Sequence, residues 1–292
     1  MKNKALRYLL NNDPKKVLSK HGIIIRKMLN PLFQHLMIPL STKNKLIIER
    51  KANIPKDKPI IFAPTHGFRD DVAFSLKTIG RQVYILWGSL PEFYESIDGW
   101  AVWINGTIMV DRKDKASRTA SKPKMEYAIE LGSDLLIFPE GVWNKTENLI
   151  VQKLFPGIYD VAKSTGAVVM PIGMIQVENT VYSILDEPFD ISEFERTEGL
   201  SILRDKMSTV KYELMEKYAF DKRENIGNPH YYWESFLEEL IATTNGHYDY
   251  EIENKAHYID KSISEYDDAF EHLQYLVPNK SNAFLFSKSI HN

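Results

Sequence analysis

The sequence contains no cysteine. Disulfide bonds, thiolate metal sites and cysteine nucleophiles are therefore excluded, and this composition is typical of a reducing compartment. No His-Glu-x-x-His pattern is present and the eight histidines are scattered, so we expect no metal centre and no bound cofactor. No Gly-x-Ser-x-Gly pattern occurs either, which leaves a serine hydrolase without a candidate nucleophile.

The amino-terminal part of the chain also lacks an apolar run long enough to span a membrane. Its longest charge-free stretch, residues 28–42, contains Pro31 and Pro39. A spanning helix needs about 20 apolar residues. Within this region, apolar side chains are mixed with Arg26 and Lys27, a pattern that predicts amphipathic helices lying in a membrane interface or packed on the protein body. The apolar set comprises Ile23, Ile24, Ile25, Met28, Leu29, Leu32, Phe33, Leu36, Met37 and Ile38.

Charge is distributed unevenly along the chain. Residues 1–51 hold twelve Lys or Arg and two Asp or Glu, whereas the remaining residues hold 25 basic and 37 acidic side chains. A basic head on an acidic body indicates an anionic surface as partner. Because the body is acidic, nucleic-acid binding is disfavoured and a membrane with anionic lipids is favoured.

From residue 58 onward, short apolar runs alternate with helical patterns. Strands are predicted at residues 59–64, 82–87, 106–110, 134–138, 167–175 and 180–185, and helices at 70–78, 113–131, 156–164 and 192–220. This alternation predicts an α/β fold with a mainly parallel sheet flanked by helices. We divide the chain into a basic helical region (1–51), an α/β domain (52–225) and a C-terminal appendage (226–292).

His66 and Asp71 follow the first predicted core strand, where parallel sheets carry functional loops. The two side chains can meet only if His66 lies in the loop and Asp71 lies in the first helical turn. Asp71 would then accept a hydrogen bond from one imidazole nitrogen and leave the other to act as a base. On spacing alone, a solvated histidine and a helix-capping aspartate are the more common explanation of the pattern.

Two further strands end in polar residues. Glu140, between Pro139 and Gly141, could bind a hydroxyl group or simply hold its turn together. Arg112, at the end of the strand that begins at Gly106, could bind a phosphate through its guanidinium or pair with Asp111 at the surface.

Taken together, these blocks resemble the glycerolipid acyltransferases, in particular the 1-acylglycerol-3-phosphate O-acyltransferase (lysophosphatidate acyltransferase) family. The resemblance covers residues 58–190 and is carried by four blocks in order: His66 to Asp71 (the HX4D motif), the strand from Gly106 to Arg112, Phe138-Pro139-Glu140-Gly141, and Val169-Met170-Pro171-Ile172.

The resemblance implies a glycerol-3-phosphate acyltransferase-like fold and an O-acyltransferase of phospholipid biosynthesis. His66 would be the general base, oriented by Asp71, and the acyl donor would be acyl-CoA or acyl carrier protein. The acceptor would be a lysophosphatidate-like glycerolipid, bound through Arg112, Glu140, Gly141 and Gly106. The enzyme would be cytoplasmic and peripheral on the inner face of the membrane.

The sequence departs from the family after Gly141, where related chains usually have Thr or Ser and then Arg. Val142, Trp143 and Asn144 follow here. Lys145, or the cluster of Arg118, Lys122 and Lys124, could supply the missing basic contact. Otherwise the acceptor could be a glycolipid, a lysophospholipid or an amine. A catalytically silent lipid-binding protein is the alternative of a different class.

Overall fold

The computed structural model describes residues 8–88, 97–146, 149–219, 229–244, 246 and 248. Contacts divide the chain into two units, Met1–His257 and Tyr258–Asn292. The second unit, which makes up much of the predicted C-terminal appendage, lies outside the described residues. The architecture below is that of the first unit.

Seven strands form one sheet in the order β1-β7-β6-β2-β5-β3-β4. All neighbouring pairs are parallel except β6 and β7, which form an antiparallel hairpin. The predicted mainly parallel sheet is therefore confirmed. The strands are β1 (Lys45–Lys51), β2 (Ile60–Pro64), β3 (Val83–Trp87), β4 (Thr107–Met109), β5 (Asp134–Leu136), β6 (Val168–Val177) and β7 (Thr180–Leu185).

Helices cover both faces of this sheet, and each face has its own apolar core. Strand β2 is buried along its whole length, with Phe62 in one core and Ile61 and Ala63 in the other. This is why its sequence is continuously apolar rather than alternating. The helices after β1 are α4 (Asp71–Ile79), α5 (Ile97–Asn105), α6 (Lys115–Glu130), α7 (Gly157–Thr165), α8 (Arg196–Tyr218) and α9 (Pro229–Ala242).

Residues 14–41 are largely helical, as predicted. They form α1 (Pro14–Val17), α2 (Lys20–Leu32), a π-helical turn (Phe33–Met37) and α3 (Ile38–Ser41). Ile23, Phe33 and Ile38 are buried in the cores, so these three do not belong to an exposed apolar face as the sequence pattern had suggested. The remaining apolar side chains that point outward are Ile24, Ile25, Met28, Leu29, Leu32, Leu36 and Leu40.

Residues 45–51 correct the boundary that we placed after residue 51. They form edge strand β1, which pairs with β7, so the sheet begins inside the region predicted to be helical. The strand carries Lys45, Glu49, Arg50 and Lys51 around a short apolar run, and most of its residues are exposed. Charged side chains are common on edge strands, where they discourage pairing with other chains.

Two helices were not predicted. Helix α5 precedes β4, and helix α9 begins at the aromatic segment of residues 229–233. In the part of the chain that the structure describes, no helix combines the length and apolar character needed to cross a membrane.

Candidate active site

His66 and Glu140 meet because their strands are neighbours. His66 lies in the loop after β2, and Glu140 lies in the loop after β5. Since β2 and β5 are adjacent and parallel, both loops leave the sheet at the same edge. This is the edge at which open α/β sheets bind ligands.

The predicted contact between His66 and Asp71 is present. Nδ1 of His66 lies 2.7 Å from Oδ2 of Asp71, which is the first residue of α4. The Asp71 side chain is 1% exposed and that of His66 is 19% exposed. Because an ionised carboxylate can only accept, Nδ1 carries the proton and Nε2 is the nitrogen that can take one up.

Backbone amides complete the binding of this carboxylate. The N–H groups of Gly67 and Phe68 also donate to Oδ2 of Asp71, at 3.0 and 3.3 Å. The loop between the two residues therefore wraps around the carboxylate, as the five-residue spacing requires. The pair is thus a preorganised His–Asp arrangement rather than a chance approach of two surface side chains.

Glu140 is an internal anchor for the His66 loop. One carboxylate oxygen accepts the backbone N–H of His66 and the other accepts that of Gln152, both at 2.9 Å. The residue is 1% exposed, and burial raises the pKa of its carboxyl group while Lys211 and the two amides oppose the increase. Of the two roles considered from the sequence, holding the turn together is the one that these contacts describe.

Gly141 is required by the backbone of this turn. Its φ is +74°, and a Cβ atom there would lie 2.6 Å from the ring of Phe155. Any other residue would be strained and would displace that ring.

Aromatic rings line the approach to the imidazole. The ring of Phe138 lies 4.3 Å from that of His66 between centroids, and Trp143 stands edge-on to His66 at 6.3 Å. The next ring outward is Tyr248, 6.5 Å from Trp143. Trp143 thus lies beside His66 at the position where related chains usually carry Arg.

The segment after residue 228 reaches this site, which the sequence analysis missed. Nε1 of Trp233, in α9, donates to the carbonyl oxygen of Lys145 at 3.1 Å, and the ammonium of Lys145 contacts the hydroxyl and ring of Tyr248. The concentration of aromatic residues at 229–233 was the only sequence signal of this contact. It did not identify the loop that Trp233 contacts.

The other two residues predicted to bind the substrate, Arg112 and Gly106, lie at opposite ends of β4. Arg112 follows β4, three strand positions from β2, and its side chain lies against Gly88 at the end of β3. It is on the same edge of the sheet as His66. Gly106 precedes β4 and packs beside Gln82 and Tyr84, so it lies at the opposite end of that strand.

The basic residues proposed to replace the missing arginine also differ in setting. Arg118 is exposed and donates to the carbonyl oxygen of Arg112 at 2.6 Å, and Lys122 is exposed beside Glu126. Lys124 is 1% exposed, and its ammonium lies 3.5 Å from the carbonyl oxygen of Met109. Burial lowers the pKa of Lys124.

Lys211, a lysine of α8, lies near the site, and no sequence pattern indicated it. Nζ of Lys211 donates to the carbonyl oxygen of Ile150 at 3.0 Å. Burial lowers the pKa of Lys211, and the nearby charges of Glu140 and Asp71 oppose that decrease.

On the other side of α4 lies an apolar cavity of about 40 Å³. Its polar rim includes Asp70, the residue next to Asp71. The apolar lining comes from the amino-terminal helices, α4, α5 and the end of β3: Phe33, Met37, Ile38, Val72, Ala73, Leu76, Trp87, Ala101 and Val102.

The chain is similar in sequence to known acyltransferases. Residues 45–175 match the family model described as Acyltransferase. Three relatives are each named 1-acyl-sn-glycerol-3-phosphate acyltransferase. The protein from Chlamydomonas reinhardtii is 26% identical over 129 residues, 44% of this chain and 38% of that protein. A chloroplastic protein from Arabidopsis thaliana is 27% identical over 132 residues, 45% of this chain and 36% of that protein.

The third relative, from Borreliella burgdorferi, is 26% identical over 188 residues, 57% of this chain and 73% of that protein. The chain thus spans less than two fifths of the algal and plant proteins. The crystal structure of the 1-acyl-sn-glycerophosphate acyltransferase PlsC from Thermotoga maritima aligns with 75% of this chain and 88% of its own, at 18% identity and a TM-score of 0.49.

The matched residues include His66, Asp71, Arg112 and Glu140, the same residues that carried the resemblance in the sequence. That resemblance is therefore confirmed: residues 45–175 of this chain match the family model described as Acyltransferase.

Proposed function

We propose that this protein transfers an acyl group from a thioester to a hydroxyl group of a glycerolipid acceptor. The observation that carries the proposal is the 2.7 Å contact between His66 and a buried Asp71 at the carboxyl edge of the sheet. An alcohol is a poor nucleophile near neutral pH, and a positioned base accelerates its reaction by about 10²- to 10⁴-fold.

In this mechanism, Nε2 of His66 removes the proton from the acceptor hydroxyl as its oxygen attacks the thioester carbonyl. The imidazolium that forms is stabilised by Asp71, whose carboxylate already bonds to Nδ1. Collapse of the tetrahedral intermediate breaks the carbon–sulfur bond, and the departing thiolate takes the proton from His66. The products are an ester and a free thiol, and no acyl-enzyme is formed.

The donor is acyl-CoA or an acyl carrier protein thioester, and the acceptor is a lysophosphatidate-like lipid. Arg112 is the candidate contact for the acceptor's phosphate because it lies on the same edge of the sheet as His66. The apolar cavity beside α4 offers a place for part of an acyl chain.

The protein acts at a membrane surface, on the cytoplasmic face. The outward-pointing side chains of the amino-terminal helices support this, with Met28 75% exposed. The same region carries an excess of ten positive charges, which attracts anionic headgroups. An amphipathic region of this kind binds in the interface without spanning the bilayer.

A second acceptor class is favoured by one observation. Trp143 stands beside His66 where a guanidinium would otherwise bind a phosphate monoester. The acceptor could therefore be a glycolipid, a lysophospholipid with a larger headgroup, or an amine. In each case the chemistry at His66 is unchanged.

The test is to incubate the purified protein with acyl-CoA and acyl carrier protein thioesters against a panel of these acceptors, and to identify the products by mass spectrometry. We expect an acylated glycerolipid with wild-type protein and none with His66→Ala. If no acceptor is acylated although the protein binds lipid vesicles, the protein is a silent lipid-binding protein and the proposal fails.

A further inference from the structure

Two basic residues of α8 hold the loop that follows Glu140. Arg204 and Lys211 are seven positions apart, which places them on the same side of the helix. Nε of Arg204 donates to the carbonyl oxygen of Val151, and Nζ of Lys211 donates to that of Ile150, both at 3.0 Å. The next residue, Gln152, is the one whose amide binds Glu140.

Close packing of α8 on the sheet brings Lys211 to this position. A Cβ atom on Gly173, in β6, would lie 2.7 Å from the backbone carbon of Val210 and 2.8 Å from the nitrogen of Lys211. Only glycine allows the helix to approach so near. Strand β6 pairs with β2, the strand that ends at the His66 loop.

The same loop is also tied directly to His66. The amide of Asn144 donates to the carbonyl oxygen of His66 at 2.9 Å, and its side-chain nitrogen donates to the carbonyl oxygens of Leu149 and Ile150. Ile150 therefore accepts from both Asn144 and Lys211. Lys211 thus binds the same carbonyl group as Asn144, and the amide of Asn144 binds the backbone of His66.

Two buried carboxylates bind His66, and their charges act on Lys211. Glu140 binds the backbone of His66, and Asp71 binds its side chain. Oδ1 of Asp71 is buried and accepts no hydrogen bond from the residues that the structure describes. Burial raises the pKa of the Glu140 carboxyl group, and the ammonium of Lys211 opposes that increase. A protonated Glu140 would lose an acceptor that now binds His66.

We propose that Lys211 is a positioning residue, whose ammonium compensates the charge of Glu140 and so keeps that carboxylate able to hold the backbone of His66. This inference rests on the proposed function of His66 as the base. The ionisable groups around Glu140 are His66 from the loop after β2, Asp71 from α4, and Lys211 and Arg204 from α8. Strand β6, which packs against α8, contains no ionisable side chain between Val168 and Val177.

The test compares Lys211→Met and Lys211→Arg with a control, Lys206→Met, on the same helix. Lys206 lies over the ring of Phe189, away from the site. The readout is the pH dependence of kcat/KM for acyl transfer. Because Lys211 lowers the pKa of Glu140, its removal raises that pKa. We expect the acidic limb to move to higher pH in Lys211→Met, and not in the other two variants.

A parallel decrease in rate at every pH, or an equal shift in Lys206→Met, would show that Lys211 is structural. A second variant distinguishes this role from a simple loss of folding. In a Glu140→Gln background, Lys211→Gln should decrease kcat/KM less than it does in the wild type, because the charge that Lys211 compensates is gone. Equal losses in both backgrounds would overturn the proposal.

A measurement that needs no turnover separates this inference from the proposed function. The backbone amide resonance of His66 reports ionisation of Glu140, since the two groups are hydrogen bonded. Its titration midpoint should rise in Lys211→Met even if no acceptor is ever acylated. An unchanged midpoint would refute the role of Lys211, whatever the enzyme assay shows.

Discussion

The indole of Trp143 stands edge-on to the imidazole of His66, with 6.3 Å between the ring centroids. Tyr248 lies on the far side of the indole, and Trp233 binds the backbone of Lys145 two residues further on. Aromatic side chains from two distant parts of the sequence therefore meet beside His66.

Trp143→Arg tests whether this indole sets the acceptor preference. A guanidinium binds a phosphate monoester in bidentate fashion, which an indole cannot do. We expect the ratio of kcat/KM for lysophosphatidate over a lysophospholipid with a larger headgroup to rise by about tenfold, or about 1.4 kcal/mol. Trp143→Phe keeps an aromatic ring and should leave the ratio unchanged. An equal loss with all acceptors after Trp143→Arg would show that the indole is a packing residue.

Glu140→Gln tests the anchor of the His66 loop. The carboxamide has a single acceptor oxygen, so one of the amides of His66 and Gln152 loses its partner. We expect kcat/KM to fall by about tenfold or more, since a hydrogen bond to a charged group contributes about 1.5–3 kcal/mol. Exchange of the His66 amide proton should accelerate in the same variant.

Glu126→Gln is the matched control, because Glu126 pairs with Lys122 at the surface of α6. It should have wild-type activity. Wild-type kcat/KM in Glu140→Gln would mean that the loop keeps its shape without this carboxylate.

The amino-terminal helices provide a prediction about membrane binding. Deleting residues 1–51 would also remove β1 and disturb the sheet, so point substitutions are the better test. The double variant Met28→Ser, Leu32→Ser removes two exposed apolar side chains of α2. Each contributes about 1.5–3 kcal/mol when buried, so sedimentation with anionic vesicles should weaken by at least tenfold.

Tyr212→Ser, an exposed position on α8, serves as the control and should bind vesicles like the wild type. Added salt should weaken wild-type binding further, because the basic charges of this region are screened. Binding that is unaffected by both the substitutions and salt would exclude this surface as the membrane contact.

Lys124 provides a prediction about stability. Its ammonium is buried with one long contact to the carbonyl oxygen of Met109, and burial lowers its pKa. A Lys whose pKa is lower in the folded state costs stability at pH values below its folded pKa, and this cost disappears as pH rises toward its unfolded pKa. Lys124→Met should therefore increase the free energy of unfolding at pH 7 by about 1–3 kcal/mol.

Urea unfolding measures this difference, and the gap between variant and wild type should narrow as the pH is raised toward 10. A less stable Lys124→Met variant would show that the ammonium contributes a favourable interaction in the folded protein.

The fold could be predicted because most of its signals are local. The strand that ends at Pro64, the helix that begins at Asp71 and the loop between them lie within twenty residues. The spacing alone left the contact between His66 and Asp71 open, and the resemblance carried by the HX4D motif predicted it. Strand β1 gave no such signal. It is an edge strand with charged residues and little burial, and its pairing with β7 joins segments more than 100 residues apart.

The residues that hold the loops of the site also could not be predicted, because their contacts join distant parts of the sequence. Lys211 lies 71 positions after Glu140, and Trp233 lies 88 positions after Lys145. Their contacts depend on how α8 and α9 pack against the sheet, which no local pattern specifies. The role of Glu140 was left open because a carboxylate after a strand can face either a ligand or its own backbone.

The central claim is that His66, held by Asp71, is the base that activates the acceptor. The most direct measurement is thiol release from an acyl-CoA in the presence of an acylatable acceptor, with wild-type protein and a folded His66→Ala variant. The account predicts a decrease of about 10²- to 10⁴-fold in the variant. Turnover equal to the wild type would remove His66 from the mechanism and contradict the account.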